Sequence, residues 1–462
     1  MSLLIKNGEI VTASERFVAD IFCENETITR IEPHIDAKLV APGAEIIDAR
    51  GKCVFPGFID PHVHIDLPFM GTYAADDYES ASKAALVGGT TTLIEMICPG
   101  AGDQPIEAFE LWRSKAEKLA AVDYTFHMSV VRFEEHIRDQ FREIVKAGVA
   151  SFKVFLAYKG ALNLSDEHLF AAMKFAKDLG VIVTAHCENA DAIDALQKSL
   201  LAAGKTGPEW HGPSRPPIVE ADGVHHLCTF AELLGTHVYI VHTSCAAALG
   251  EALAARQRGV NVWIESVIPH FVLDETYAAR REFEGAKYVM SPPLRAQSNQ
   301  GVLWNGIKTR QISTIATDHA PFRFADQKKM GVEGFTKIPN GIPSIQERVD
   351  LVHTCGVAAG RLGLQAMVDA CSTQAAKLFG LYPRKGAIQL GSDADLVVYD
   401  PSYRGTFSKE CSYSNVDYNA YEGWERKGRA SVVTVRGKVQ ARDGKFVGTI
   451  GRGQFLKREP TH

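Results

Sequence analysis

No stretch of this 462-residue chain approaches the ~18 continuous apolar residues of a membrane-spanning helix, so no span is expected. The opening residues, MSLLIKNGEIVTASERF, are interrupted by Lys6, Asn7 and Glu9 and lack the apolar core of a secretory signal. Cysteine is sparse: nine are scattered without CxxC spacing, and Cys98, Cys187 and Cys228 sit in apolar runs. That excludes a disulfide frame and a cysteine metal site, and fits reduced core thiols in a cytoplasmic protein. An excess of basic charge is missing too. With 50 Lys and Arg against 55 Asp and Glu the net charge is −5, which excludes the basic face of a nucleic-acid binder. What is present is globular: 46% hydrophobic and 23% charged residues. At roughly 150 residues per domain the chain could hold two or three domains, or one large barrel with a small companion.

The texture changes along the chain. Residues 1–55 carry short alternating stretches (LLIKNGEIVT, VADIFCENETITRIE, EIIDARGKCVFPG) punctuated by Asn and Gly, which predict hairpins. Similar texture returns near the C-terminus, in GSDADLVVYD and ASVVTVRGKVQARDGKFVG, so residues 378–440 are expected to meet the N-terminal part in one small β-sandwich. Residues 441–462 are expected to form a C-terminal tail, whose final stretch, GRGQFLKREPTH, is polar and Gly-containing and is read as lying on the surface. Between these parts, 56–377 alternates apolar runs of strand length with helical patterns. The runs are GFIDPHVH, TTTLIEMI, YTFHMSVV, ASFKVFLAY, VIVTAHCE, HVYIVHTS, VNVWIESVI and ISTIATDHA. Helical patterns such as DEHLFAAMKFAKDLG and AAALGEALAARQRG end in the Gly expected just past a helix. Apolar strands alternating with helices indicate a parallel sheet buried on both faces, and eight units close a (β/α)8 barrel of the TIM type.

Such a barrel places its chemistry at the C-terminal ends of its strands. His62 and His64 stand at the end of the first, Lys153 in the fourth, His186 at the end of the fifth, His242 of the sixth and Asp318 of the eighth. Residues i and i+2 of a strand share a face, so His62 and His64 can reach one ion. Several imidazoles with a carboxylate describe a Zn²⁺-type site with room for water, although Mn²⁺ or Co²⁺ could take its place. Lys153 is the odd member: a buried lysine would ordinarily find a salt bridge with a barrel carboxylate.

Through PGFIDPHVHIDLPFMGTYAADDYESASKAALVGGTTTLIEM, SFKVFLAYKG, TAHCEN, YIVHTS, MSPPLR, TIATDHAPF, FTKIPNGIPSIQER and GSDADLVVYDP, the chain resembles cyclic amidohydrolases of the hydantoinase/dihydropyrimidinase family over nearly its whole length. The resemblance implies the same barrel and terminal β-sandwich, and hydrolysis of the cyclic amide of dihydropyrimidines or 5-substituted hydantoins to N-carbamoyl amino acids. It implies two divalent metal ions, one held by His62, His64 and Asp318 and the other by His186 and His242. Lys153, carbamylated to N6-carboxylysine, would bridge them together with a hydroxide that attacks the ring carbonyl. Tyr158 would donate to the developing oxyanion, and Asp318 would take the hydroxide's proton and return it to the leaving nitrogen. Ser291 and Asn340 would fix the ring's amide groups through their main chains. It also implies a small-molecule substrate and a homotetramer.

Several residues keep a plainer alternative. Tyr158 could be a barrel-rim aromatic, and Ser291 before Pro292 and Asn340 before Gly341 could be turn residues. Asp60 is read as an orienter of a histidine ligand, with a strand-end turn residue as the plainer alternative. Asp66, His127, Cys187, His319 and the pair His225-His226 are read as structural. Ala320 stands where the family more often has Cys. Among rivals, dihydroorotase carries an arginine two positions after the second histidine, where this chain has Asp66 and no arginine until Arg113. Allantoinase is a second rival, and a non-enzymatic relative that has lost its ligands is a third; here all six ligand positions are filled. Leu67, Phe69, Phe155 and Leu162 are expected to line a pocket for the ring's substituent.

Overall fold

The computed structural model describes residues 2–39, 43–100 and 102–462. Eight parallel strands form one sheet in chain order: Phe58–Val63, Thr90–Ile97, Asp123–Ser129, Ser151–Phe155, Ile182–His186, Val238–Ile240, Val262–Val267 and Thr314–Ala316. They coincide with the eight apolar runs. The ring closes where the first strand meets the segment after the eighth: Val63 bridges His319, the Asp318 N–H donates to His62 C=O at 3.0 Å, and the His64 N–H donates to His319 C=O at 2.8 Å. The closing seam therefore runs through the candidate ligands themselves.

The strands are buried along their lengths, as a parallel sheet covered by helices requires. Helix ends follow local chemistry. Ser165 caps Asp166–Leu179 by accepting the His168 N–H, and Gly180 ends that helix in the left-handed region at φ 68°. Asp77 and Ser80 form a reciprocal capping box at Tyr78–Val87.

Both chain ends build a separate sheet. Its order runs from Lys445–Phe446 through Lys438–Arg442, Glu425–Val435, Leu396–Thr406, Cys53–Pro56, Ser2–Val11 and Arg16–Glu24 to Thr27–Glu32. Leu3, Ile5, Ile10 and Ile21 pack in its own core with Leu396, Val398 and Val432. A buried ion cluster fastens this sheet to the barrel floor: Lys385 Nζ lies 2.6 Å from Asp123 and 2.7 Å from Asp395, and Arg436 also pairs with Asp123.

The tail departs from expectation. Leu456 and Arg458 are buried, not on the surface. Phe455 bridges Tyr124, and Arg458 donates to Thr125 Oγ1, Phe126 C=O and Ser151 Oγ beneath the barrel. A short polar segment can be buried there because strand hydroxyls and a carbonyl accept from its Nε and Nη2. No helix among the described residues is long and apolar enough to cross a membrane.

Candidate active site

All nine candidate residues, His62, His64, Lys153, Tyr158, His186, His242, Ser291, Asp318 and Asn340, line one cavity of about 710 Å³ at the C-terminal mouth of the barrel. His62 ends near its strand's limit, and His64 lies just beyond it. His242 and Asp318 sit two residues past the strands Val238–Ile240 and Thr314–Ala316. The last two, with Tyr158, adopt left-handed backbone: φ is 40° at His242, 53° at Asp318 and 65° at Tyr158. For a non-glycine residue that conformation costs about 1–2 kcal/mol, and such strain concentrates at functional sites.

His62 Nε2 and His64 Nε2 converge on Asp318 Oδ1 at 3.1 and 3.0 Å, a cluster of donor atoms with the composition and spacing to hold a metal ion. His62 Nδ1 pairs with Glu265 Oε1 at 2.7 Å, which makes Nε2 the ring nitrogen that faces Asp318. Burial lowers the His62 pKa, but Glu265 and Asp318 outweigh it and bring the imidazole up to about 9. Burial alone would raise Asp318; His62 and His64 instead hold its carboxyl well below the usual range.

Across the cavity the rings of His186 and His242 lie 4.4 Å apart, centre to centre. His186 Nε2 donates to Glu188 Oε2 at 2.7 Å, turning Nδ1 into the acceptor. Glu188 is in turn gripped by Arg215 at 2.6 Å, and the guanidinium lies 5.4 Å from the centre of the Tyr158 ring. Lys153 lies between the two histidine groups in chain order and projects into the same cavity. Its ammonium makes no salt bridge, contrary to the plainer expectation; Nζ is buried without a hydrogen-bond partner among the described residues. His64 Nδ1 is likewise unpartnered. Burial brings Lys153 down to about 8. Orphaned nitrogens among imidazoles and a carboxylate are the donor set that a pair of cations would complete.

Burial pushes the Tyr158 phenol up to about 12, so it remains a proton donor at ordinary pH. Its ring meets Phe69 edge-on at 5.4 Å. Asn340 Nδ2 donates to Ser291 Oγ at 2.9 Å, and among the described residues neither residue's main-chain N–H or C=O is used within the protein. The four expected pocket residues, Leu67, Phe69, Phe155 and Leu162, line the cavity, and no described arginine does.

Asp60 differs from expectation. It touches no imidazole ring: Oδ1 accepts the His62 and Thr317 N–H groups and Oδ2 the Thr317 hydroxyl, pinning the first strand to the end of the eighth. The imidazole orienters are Glu265 and Glu188, which sequence reading missed. The only available signal was a carboxylate inside each of two apolar runs, IESVI and HCE. The structural readings hold elsewhere. His127 bridges Ser151 and Pro61, His319 bridges Asp76 and the Ser344 N–H, Asp66 pairs with Lys115, and His225 and His226 pair with surface carboxylates. Cys187 is buried.

The amidohydrolase family model matches residues 53–440. A D-hydantoinase of Geobacillus stearothermophilus is 44% identical over 99% of this chain and 97% of its own length. A dihydropyrimidinase of Dictyostelium discoideum is 36% identical over 99% of this chain and 91% of its own. Among solved structures, a D-hydantoinase from Thermus sp. superposes with a TM-score of 0.97 at 58% identity, covering 99% of both chains.

Proposed function

Because the chain belongs to the amidohydrolase family and is a cyclic amide hydrolase of the hydantoinase/dihydropyrimidinase kind, we propose that it opens 5-substituted hydantoins or dihydropyrimidines to N-carbamoyl amino acids with two divalent ions, Zn²⁺ foremost. The observation that carries this reading is the buried, unpartnered Lys153 Nζ amid His62, His64, His186, His242 and Asp318 in one cavity. At a pKa of about 8, part of Lys153 is uncharged near neutrality, the form that adds CO₂. That addition would form a nitrogen–carbon bond and release a proton, giving Lys153 a carboxylate that would help to hold the ions. When bound, the ions polarise the ring carbonyl and make hydroxide accessible at neutral pH.

The chain's own groups do the rest. Asp318, held ionised, takes a proton at Oδ and delivers it to the departing ring nitrogen. Tyr158 keeps its hydroxyl proton and donates it toward the oxygen on which charge develops. The free main-chain groups of Ser291 and Asn340 orient the ring's N–H and C=O edges. Leu67, Phe69, Phe155 and Leu162 give the substituent an apolar wall, which favours uncharged substituents and, with no arginine among the described residues that line the cavity, disfavours a carboxylated ring such as dihydroorotate. The nine unpaired thiols accord with a cytoplasmic protein, and the likeness to the family with a homotetramer.

The test is turnover of dihydrouracil and 5-substituted hydantoins by purified protein, with metal measured on the same sample. About two ions per chain and turnover abolished by chelation are expected. Full metal occupancy without turnover of either ring would redirect the assignment to allantoin or dihydroorotate.

A further inference from the structure

We propose that Lys328 is a positioning residue for substrate: its buried ammonium ties the loop carrying Ser291 to the loop carrying Asn340 and so sets the spacing of the two groups that hold the ring. The inference rests on the reading of Ser291 and Asn340 given above.

Lys328 is 0% exposed, yet it faces no carboxylate. Nζ donates to three main-chain carbonyls: Val289 at 2.9 Å, Pro339 at 2.7 Å and Gly341 at 2.8 Å. Val289 stands two residues before Ser291, and Pro339 and Gly341 flank Asn340. Burial alone pulls the amine's pKa well down, but three carbonyls can each take an N–H only from the ammonium, because a neutral amine has two. The Phe322 ring centre lies 5.8 Å from Nζ, an aromatic group beside the ammonium.

Neither loop lies in a strand. Between them run two hydrogen bonds, Gly341 N–H to Val289 C=O at 2.9 Å and Asn340 Nδ2 to Ser291 Oγ at 2.9 Å, while Val289 and Ile338 share an apolar cluster and His211 meets Met290 C=O at 2.8 Å. Gly341 also lies flat against the segment after Asp318; a Cβ there would come within 2.1 Å of the Ala320 carbonyl oxygen. A loop pressed this closely against that strand end has one seating, and the ammonium, with three bonds, is the group that makes the most hydrogen bonds between it and the loop of Ser291. The adjacent Gln327 reaches the other wall of the pocket, donating to Thr72 Oγ1 at 2.8 Å and Tyr73 C=O at 2.6 Å. A residue whose purpose was only to fill the core would be apolar, since an ammonium buried without an anion is costly unless all its donors are matched.

The experiment compares the metal-loaded parent with Lys328→Met, and with Lys328→Gln in case the first does not fold. The substrates are hydantoin and hydantoin methylated at the ring nitrogen that is not cleaved, which lacks the N–H that the main chain would hold. The parent is expected to prefer hydantoin by at least about tenfold. Lys328→Met is expected to keep its metal content, to lose about 100-fold in kcat/KM, mostly through KM, and to lose the preference between the two rings. Lys328→Gln, with two N–H donors, should recover part of both. Propylammonium added to Lys328→Ala should restore turnover in a saturable way. If the parent takes both rings equally, the reading of Ser291 and Asn340 fails and this inference with it. If the parent discriminates and a folded Lys328 variant keeps the same preference and KM, whatever its thermal midpoint, the positioning role alone is overturned.

Discussion

Glu265 Oε1 lies 2.7 Å from His62 Nδ1 and also accepts the main-chain N–H of His242 at 3.0 Å, so one carboxylate sets residues from both halves of the candidate metal site. Its other oxygen accepts the Tyr239 hydroxyl at 2.8 Å, which keeps the carboxylate from turning away.

Removing that charge while keeping the shape should loosen the site. Glu265→Gln is expected to lower metal retained on dialysis, and kcat/KM with it, by about 10–100-fold. Unchanged metal content by elemental analysis would leave Glu265 a core hydrogen-bonder only.

The Glu188–Arg215 pair lies behind His186 in the same way. Glu188→Gln leaves a guanidinium buried at 3% exposure without its anion. A loss of about 3–5 kcal/mol in urea unfolding is expected. A variant as stable as its parent would mean that water reaches Arg215.

Leu67 and Phe69 line the cavity, and Phe69 packs on Tyr158. Alanine at either position is expected to change relative kcat/KM among 5-substituted hydantoins by about 10–200-fold, with less effect on unsubstituted hydantoin. Equal relative rates across substituents would remove both from the substituent pocket.

Asp76 supplies a pH test away from the cavity. Burial would raise it, but His319, the Asn415 N–H and the Ser414 hydroxyl hold its pKa below the ordinary 3.8. A depressed folded value means that the unfolded chain binds the proton more readily, so Asp76 stabilises fully above the unfolded pKa. That contribution is lost as pH falls through the folded pKa. The stability gap between the parent and Asp76→Asn is therefore expected to be constant near neutrality and to shrink below about pH 4. A gap that widens on acidification would reverse the assignment.

Much of the site was legible in the sequence. The eight strands declare themselves because apolar runs broken by helical periods are local patterns. His62, His64, His186, His242 and Asp318 were found because a barrel sends strand-end residues to one mouth, so position along the chain predicts position in space. Asp60 was misread because carboxylate and imidazole are neighbours in sequence, whereas in space the carboxylate turns toward Thr317, 257 residues away. The tail was misread because polar composition does not reveal that Thr125, Phe126 and Ser151 offer acceptors for Arg458.

By itself, then, the sequence determined the kind of chemistry: ligand residue types at strand ends, on a scaffold whose alternation of apolar strand and helix is written into local patterns. Only the tertiary structure decided which groups hold those candidate ligands still. Glu265 under His62, Arg215 behind Glu188, the three carbonyls around Lys328 and the left-handed backbone at Tyr158, His242 and Asp318 each join or strain segments with no local signal. Their partners meet only when the ring closes, and burial then makes each lost hydrogen bond costly.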